Sequence, residues 1–246
     1  MSRLILALLL AAAALPAVAA DIRVIAPNAV KEPILEIVAM YEKATGHKVT
    51  MAWGGTESIT KRVGEGEVFE VVVNAAQNID ALSRSGRLAQ GSRTDFARSS
   101  VGVAVRAGLP RPDVSSAEGL KRALLQANSI AISSGTSGRF LEQLFQRLGV
   151  AEQVRGKLRQ PPSGAQIGEM LARRDADIGF QQVSELLHAR GIDYIGPLPA
   201  DMQSITVYSG GLHATAGGNE AARSFLGMLN APASAAFIRK AGLDPT

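Results

Sequence analysis

Short, wholly apolar runs alternate with segments of helical periodicity along this chain, and that alternation limits the folds open to it more than any other feature. Val71-Val72-Val73 is the clearest run. A strand that is apolar at every position has no solvent-facing side, which suits a parallel sheet covered on both faces. Ile22-Arg23-Val24-Ile25 predicts a strand, and Ile34, Leu35, Val38 and Tyr41 recur at helical spacing before Gly46, a helix stop. Lys48 to Trp53 predicts a second strand, Thr56 to Val63 a short helix, and Ile79 to Arg84 a helix closed by Gly86. The second half repeats the pattern with different residues. Val101 to Val105, Ile130 to Ile132, Asp177 to Phe180, Asp193 to Ile195 and Gln203 to Tyr208 predict strands. Between and after them, helices are predicted at Phe140 to Leu148, Ala151 to Lys157, Ile167 to Arg173, Ser184 to His188, Glu220 to Leu229 and Ser234 to Lys240. Ser115 with Glu118 three residues later predicts a capping box that opens one more helix, running to Gln126. The pattern is that of an α/β protein built as two Rossmann-like lobes with mostly parallel sheets. Residues 21–103 and 203–246 are expected to form lobe I and residues 104–202 lobe II, packed closely because only a turn-rich connection, Ala107 to Pro112, intervenes.

The amino terminus predicts an exported protein. Arg3 supplies a positive start, Leu4 to Leu15 an apolar core, and Ala17-Val18-Ala19-Ala20 a run of small residues for cleavage, so residues 1–20 are expected to be a signal peptide. The apolar stretch is short and interrupted by Pro16, which argues against a membrane anchor. The chain has no cysteine, hence no disulfide, thiolate metal site or cysteine nucleophile. Lys plus Arg exceeds Asp plus Glu by only four. The basic pairs Lys61-Arg62, Lys121-Arg122 and Arg173-Arg174 lie far apart without aromatic neighbours, so no nucleic-acid partner is expected.

Ligands of open parallel sheets bind beyond the carboxyl ends of the strands, where loops enter helices. Four such loops are rich in small polar residues: Ala26 to Ala29, Gly54 to Ser58, Ser133 to Arg139 and Pro162 to Ala165. Glycine allows close approach of backbone to ligand, hydroxyls donate hydrogen bonds, and helix N-termini present unpaired N–H groups. Together they make an anion-binding cleft, although each loop alone also suits an ordinary cap or turn.

Enzyme motifs fail one by one. Ser58-Ile59-Thr60-Lys61 matches Ser-x-x-Lys without its Ser-Asp-Asn and Lys-Thr-Gly companions, and Gly135-Thr136-Ser137-Gly138 lacks the spacing of a nucleophile elbow. Gly156-Lys157 is followed by Leu158, which rules out a phosphate-binding loop. His47, His188 and His213 stand singly, without metal-ligand spacing. No enzyme, metal or cofactor is expected on this reading. An exported hydrolase using Ser137 or Ser58, or a ligand-sensing subunit, remains the alternative class.

The order and spacing of Ile22 to Tyr41, Gly54 to Val73 and Ser133 to Gly149, with Gly179-Phe180-Gln181-Gln182, resemble the molybdate-binding-protein-like group of periplasmic solute receptors. The resemblance covers nearly the whole mature chain. It implies a type II periplasmic binding protein, with two α/β lobes joined by crossing strands, a small anion captured between them by hinge closure, and an ABC-importer permease as partner of a monomeric periplasmic receptor. The oxyanion-binding serine of the first loop falls at Ala29, beside Asn28; the second-loop hydroxyl falls at Thr56, with Ser58 a close alternative. The backbone donors of the second lobe fall near Ser137 and Gly164, and the ligand-binding tyrosine falls at Gln182.

Two signature side chains are thus replaced, and cations stand near the loops: Lys31, Arg62 and Arg139. Arginine holds a carboxylate bidentately, and the pair Gln181-Gln182 can bond a planar polar ligand. An organic di- or tricarboxylate therefore competes with molybdate as the expected ligand. The expected second-lobe contacts are Ser137, Gly138, Arg139, Gly164 and Gln182; those of the first lobe are Asn28, Ala29, Thr56 and Ser58.

Overall fold

A computed structural model describes residues 19–246. The export-signal reading falls almost entirely outside the described residues. The chain runs through β1 (Asp21–Pro27), α1 (Lys31–Thr45), β2 (Lys48–Gly54), α2 (Thr56–Gly64), β3 (Val71–Ala75) and α3 (Ala76–Arg84) to a long β4 (Thr94–Arg106). It continues through α4 (Ala117–Gln126), β5 (Ile130–Ile132), α5 (Thr136–Arg147), α6 (Ala151–Val154), β6 (Leu158–Arg159), α7 (Ile167–Ala172), β7 (Ile178–Gln182), α8 (Val183–Leu187) and β8 (Ile192–Pro197). It ends in β9 (Ile205–Leu212), α9 (Glu220–Leu229), α10 (Ala235–Lys240) and β10 (Asp244–Pro245).

The strands lie in the order β2-β1-β3-β9-β4-β7-β5-β6, with β8 and β10 also pairing with β4. Pairing is parallel among β2, β1 and β3 in lobe I and among β6, β5 and β7 in lobe II. Antiparallel ladders belong to β9 and β4 and their neighbours, which join the lobes. β4 is the main crossing: Thr94–Ser100 pair with β9, and from Val101 onward the same strand pairs with β7 and β8.

Side-chain alternation explains why each lobe needs helices on both faces. Val71 and Val73 enter one core with α1 and α9, whereas Val72 enters another with Ile59, Val63 and Ile79. In lobe II, Val103, Ile130 and Ile132 pack with α4 and α5 residues on one face, and Ala104 and Ala131 face Ile167 and Leu171 on the other.

Two local expectations are corrected. The strand expected at Val101 begins at Thr94, because the polar stretch before it is the lobe I half of a crossing strand. The cap of α4 is Ser116, whose Oγ accepts from the Gly119 N–H at 3.1 Å; Ser115 donates its hydroxyl to Asp113 at 2.6 Å instead.

Candidate functional site

All four polar loops converge on one cleft between the lobes. From lobe I, β1 hands on to Asn28, whose side-chain amide donates to the Gly164 carbonyl of lobe II at 2.9 Å. The Ala29 carbonyl accepts from the Ser184 hydroxyl at 2.7 Å. β2 ends at Gly54, and Gly55 precedes the first turn of α2. Buried Asn74 donates to the Thr56 carbonyl at 3.0 Å and fixes that turn against the sheet. From lobe II, the loop after β5 leads into α5, and Ser133 and Ser137 bond through their hydroxyls at 2.9 Å. A Cβ at Gly138 would lie 1.6 Å from the Ser133 carbonyl oxygen, so only glycine allows this tight entry.

The lobes touch. Thr56 and Thr136 face each other with hydroxyls 3.5 Å apart, and the Ser58 N–H donates to the Ser163 hydroxyl at 3.2 Å. A Cβ on Gly55 would lie 2.3 Å from Ser163 Oγ and 2.5 Å from the Gly164 nitrogen. The remaining cavity is about 40 Å³. Entry to so narrow a space is by parting of the lobes.

Six of the expected residues line this cleft: Asn28, Ala29, Thr56, Ser137, Gly164 and Gln182. Three do not. The Ser58 hydroxyl closes back on the Gly55 backbone, accepting at 3.1 Å and donating at 3.0 Å, and Gly138 is packed under Ser133. Arg139 is carried by the first turn of α5 to the rim, where Nη1 donates to Glu57 Oε1 at 2.6 Å and ties lobe II to lobe I. The other cations are also elsewhere: Arg62 pairs with Glu67, and Lys31 lies over the Trp53 ring.

The cleft wall therefore carries no cationic side chain among its lining residues. An anion there meets backbone N–H groups, hydroxyls, amides and the N-termini of α2 and α5. The side-chain oxygen of buried Gln182 and the hydroxyl of Ser134 have no hydrogen-bond partner among the described residues, while the Gln182 amide nitrogen donates to Thr206 at 3.0 Å. Both residues line the cleft; the Ser134 hydroxyl can donate to an anion, whereas the Gln182 oxygen can only accept.

Two titratable side chains line the same space, Glu185 and Tyr208. Glu185 Oε1 accepts from the Gln181 amide at 2.8 Å and from the Gln166 amide at 3.4 Å. Burial pushes its pKa up to about 7 against the pull of those hydrogen bonds. Tyr208 is pushed well above the ordinary phenol value by burial and by the neighbouring Glu185. Neither residue stands out in the sequence, since Glu185 follows the glutamine pair like any helix-surface acid and Tyr208 reads as part of an apolar strand.

Residues 22–244 match the family of bacterial extracellular solute-binding proteins. The chain belongs to this family. Among relatives of this solute-binding protein, an aconitate isomerase of Pseudomonas sp. is 36% identical over 228 residues, covering 90% of this chain and 87% of that one. The molybdate-binding protein ModA of Azotobacter vinelandii is 30% identical over 190 residues, covering 76% of this chain and 74% of the relative. The solved periplasmic molybdate-binding protein of the same species superposes with a TM-score of 0.76 at 21% identity, covering 90% of this chain and 98% of that structure. The resemblance to molybdate-binding-like receptors and the two-lobed α/β fold are both found. Membership implies a small ligand, a periplasmic location and, for a transport receptor, a permease partner.

The expectation that the chain is not an enzyme is overturned by the isomerase relative, which matches nine-tenths of the chain. The motifs tested in the sequence belong to hydrolases and phosphate-binding enzymes. An isomerisation needs no nucleophile elbow, only a group that can move a proton, and such a group leaves no motif.

Proposed function

We propose that this protein binds an aconitate-type unsaturated tricarboxylate between its lobes and isomerises it in the periplasm, after removal of residues 1–20. The match to an aconitate isomerase over nine-tenths of the chain carries the reading. The cleft supports it chemically. A polyanion would be held by the Asn28 amide, the Thr56, Ser134 and Ser137 hydroxyls and N–H groups and the Gly164 backbone, all in the wall, while the Gln182 oxygen suits a protonated carboxyl. Closure of residues 21–103 and 203–246 over residues 104–202 excludes water from the reacting carbons. A carboxyl inside an anion-binding wall repels its ligand when ionised, which a receptor for simple capture gains nothing from; proton transfer gives that carboxyl a use.

Aconitate carries a saturated carbon beside its double bond, so moving one proton within the three-carbon frame interconverts its isomers. Calorimetric titration with cis-aconitate, trans-aconitate and molybdate, followed by chromatography of the aconitate samples, tests the reading. Binding of aconitate with appearance of the other isomer is expected. Binding of molybdate alone would instead favour a second reading, capture of an oxyanion for an importer. The wholly neutral donor set of the wall and the ModA relative support that alternative.

A further inference from the structure

We propose that Glu185 is the catalytic residue that carries the proton in this isomerisation, taking it from the saturated carbon of the bound tricarboxylate and returning it within the same three-carbon frame. The inference rests on the isomerase reading above and assigns its chemistry to one atom group.

Glu185 is the one carboxylate in the cleft wall, and the other titratable group there, Tyr208, is held in its protonated form, so it can donate a hydrogen bond but not act as base. No histidine lines the cleft: His188 faces an outer groove, and the His213 ring bonds Thr215 at 2.9 Å. Both side-chain amides that hold Glu185 reach Oε1, and the Gln182 backbone N–H also favours the ionised carboxyl, the form that accepts a proton. The carboxyl forms no ion pair among the described residues. An unpaired acid in such a place weakens the fold and so asks for a chemical reason.

Glu185 and Asn28 also line the outer groove of about 610 Å³, so the carboxyl forms part of the partition between cleft and groove. It can exchange its proton with solvent from the groove side while the lobes are shut.

The step balances without a co-reactant. Ionised Glu185 accepts the proton as the C–H bond breaks, and the electron pair spreads over the three carbons and their carboxylates. Donors of the α2 and α5 N-termini stabilise that charge. The O–H bond of Glu185 then breaks as a C–H bond forms at the other end of the frame. The double bond shifts and the carboxylate is restored.

The test compares the full mature chain with Glu185→Gln, which keeps the size of the side chain and an oxygen to accept from Gln181 and Gln166. The expected result is a loss of about 10²- to 10⁴-fold in kcat with binding of trans-aconitate retained by calorimetry. Wild-type kcat in the variant overturns the assignment while the isomerase reading stands; no turnover by the wild type removes both. A second measurement does not depend on the variant folding. The wild-type rate at saturating aconitate is expected to fall with pH below about 7, the value to which Glu185 is raised. A flat profile from acid to neutral pH overturns the assignment. Tyr208 from β9 lines the cleft with Glu185, and Lys31, Glu32, Glu169, Arg173, His188 and Arg190 line the groove that Glu185 also borders. Of these, His188 is the other side chain that could act as a base, and His188→Gln is expected to leave the acid limb in place; loss of that limb in this variant also overturns the assignment.

Discussion

Replacing Gly55 by alanine tests closure without touching the chemistry. Gly55 has φ −90° and ψ 160°, which alanine adopts freely, so the backbone of lobe I accepts the change. The new methyl would stand 2.3 Å from Ser163 Oγ and 2.5 Å from the Gly164 nitrogen of the opposite lobe. A hydroxyl can rotate away, but the Gly164 nitrogen is backbone in a residue with φ +96°, a conformation that favours glycine. The lobes must therefore separate by a fraction of an ångström to an ångström before the contact is tolerable. Overpacking of this kind costs about 1–3 kcal/mol, here charged to the closed state alone. A ligand that binds the closed state then loses affinity in proportion to the lost closed population, which is about 5- to 150-fold. Calorimetry of wild type and Gly55→Ala with trans-aconitate reads this directly, and small-angle scattering reports whether the liganded variant is more open. Unchanged affinity with equally compact scattering would refute the argument that Gly55 and Gly164 meet in the ligand-binding state.

Arg139→Ala is expected to weaken aconitate binding less than about fivefold and more at low salt than at high, because the exposed pair with Glu57 is worth about 0.2–1 kcal/mol. A loss of two orders of magnitude would mean that Arg139 holds a ligand carboxylate after all. Gly138→Ala is expected to lower the thermal midpoint by several degrees, since its Cβ collides with the Ser133 carbonyl in any lobe arrangement; an unchanged midpoint would contradict the packing. For Glu185 the folded pKa of about 7 lies above the ordinary 4.5, so its stabilising contribution is full below pH 4.5 and is lost as pH rises through 7. The shift corresponds to about 3 kcal/mol, and Glu185→Gln is therefore expected to melt above wild type at pH 8, with the gap closing towards pH 5. Equal midpoints at both values would show that the carboxyl is not buried.

The fold was legible where one local rule governed. Val71-Val72-Val73 is buried on every residue, and the helix at Glu220–Leu229 has the expected bounds. It was not legible in Thr94 to Ser100, where Asp95 and Arg98 look like loop residues. Asp95 bonds Arg93 and Ser209, and that charge-assisted pairing holds its carboxyl below the usual carboxylate range, a compensation only the neighbouring strand reveals. The loops of the site were legible because glycine and hydroxyl clusters before helices have a local meaning. Arg139 misled because its position after a glycine-rich loop says nothing about where one helical turn points it, and its partner Glu57 is 82 residues away. Glu185 was invisible because, of the groups around its carboxyl, Gln166 and Tyr208 come from other elements and reach it only in three dimensions.

The central claim is that this family's capture cleft here performs an isomerisation. Proton NMR of cis-aconitate incubated with a catalytic amount of the purified mature chain tests it most directly. Growth of the trans-aconitate vinyl signal from the cis isomer, and its decline to the same ratio of isomers when trans-aconitate is the starting material, is the predicted result. A spectrum that stays that of the starting isomer at stoichiometric protein, from a sample whose thermal midpoint rises with molybdate, would contradict it.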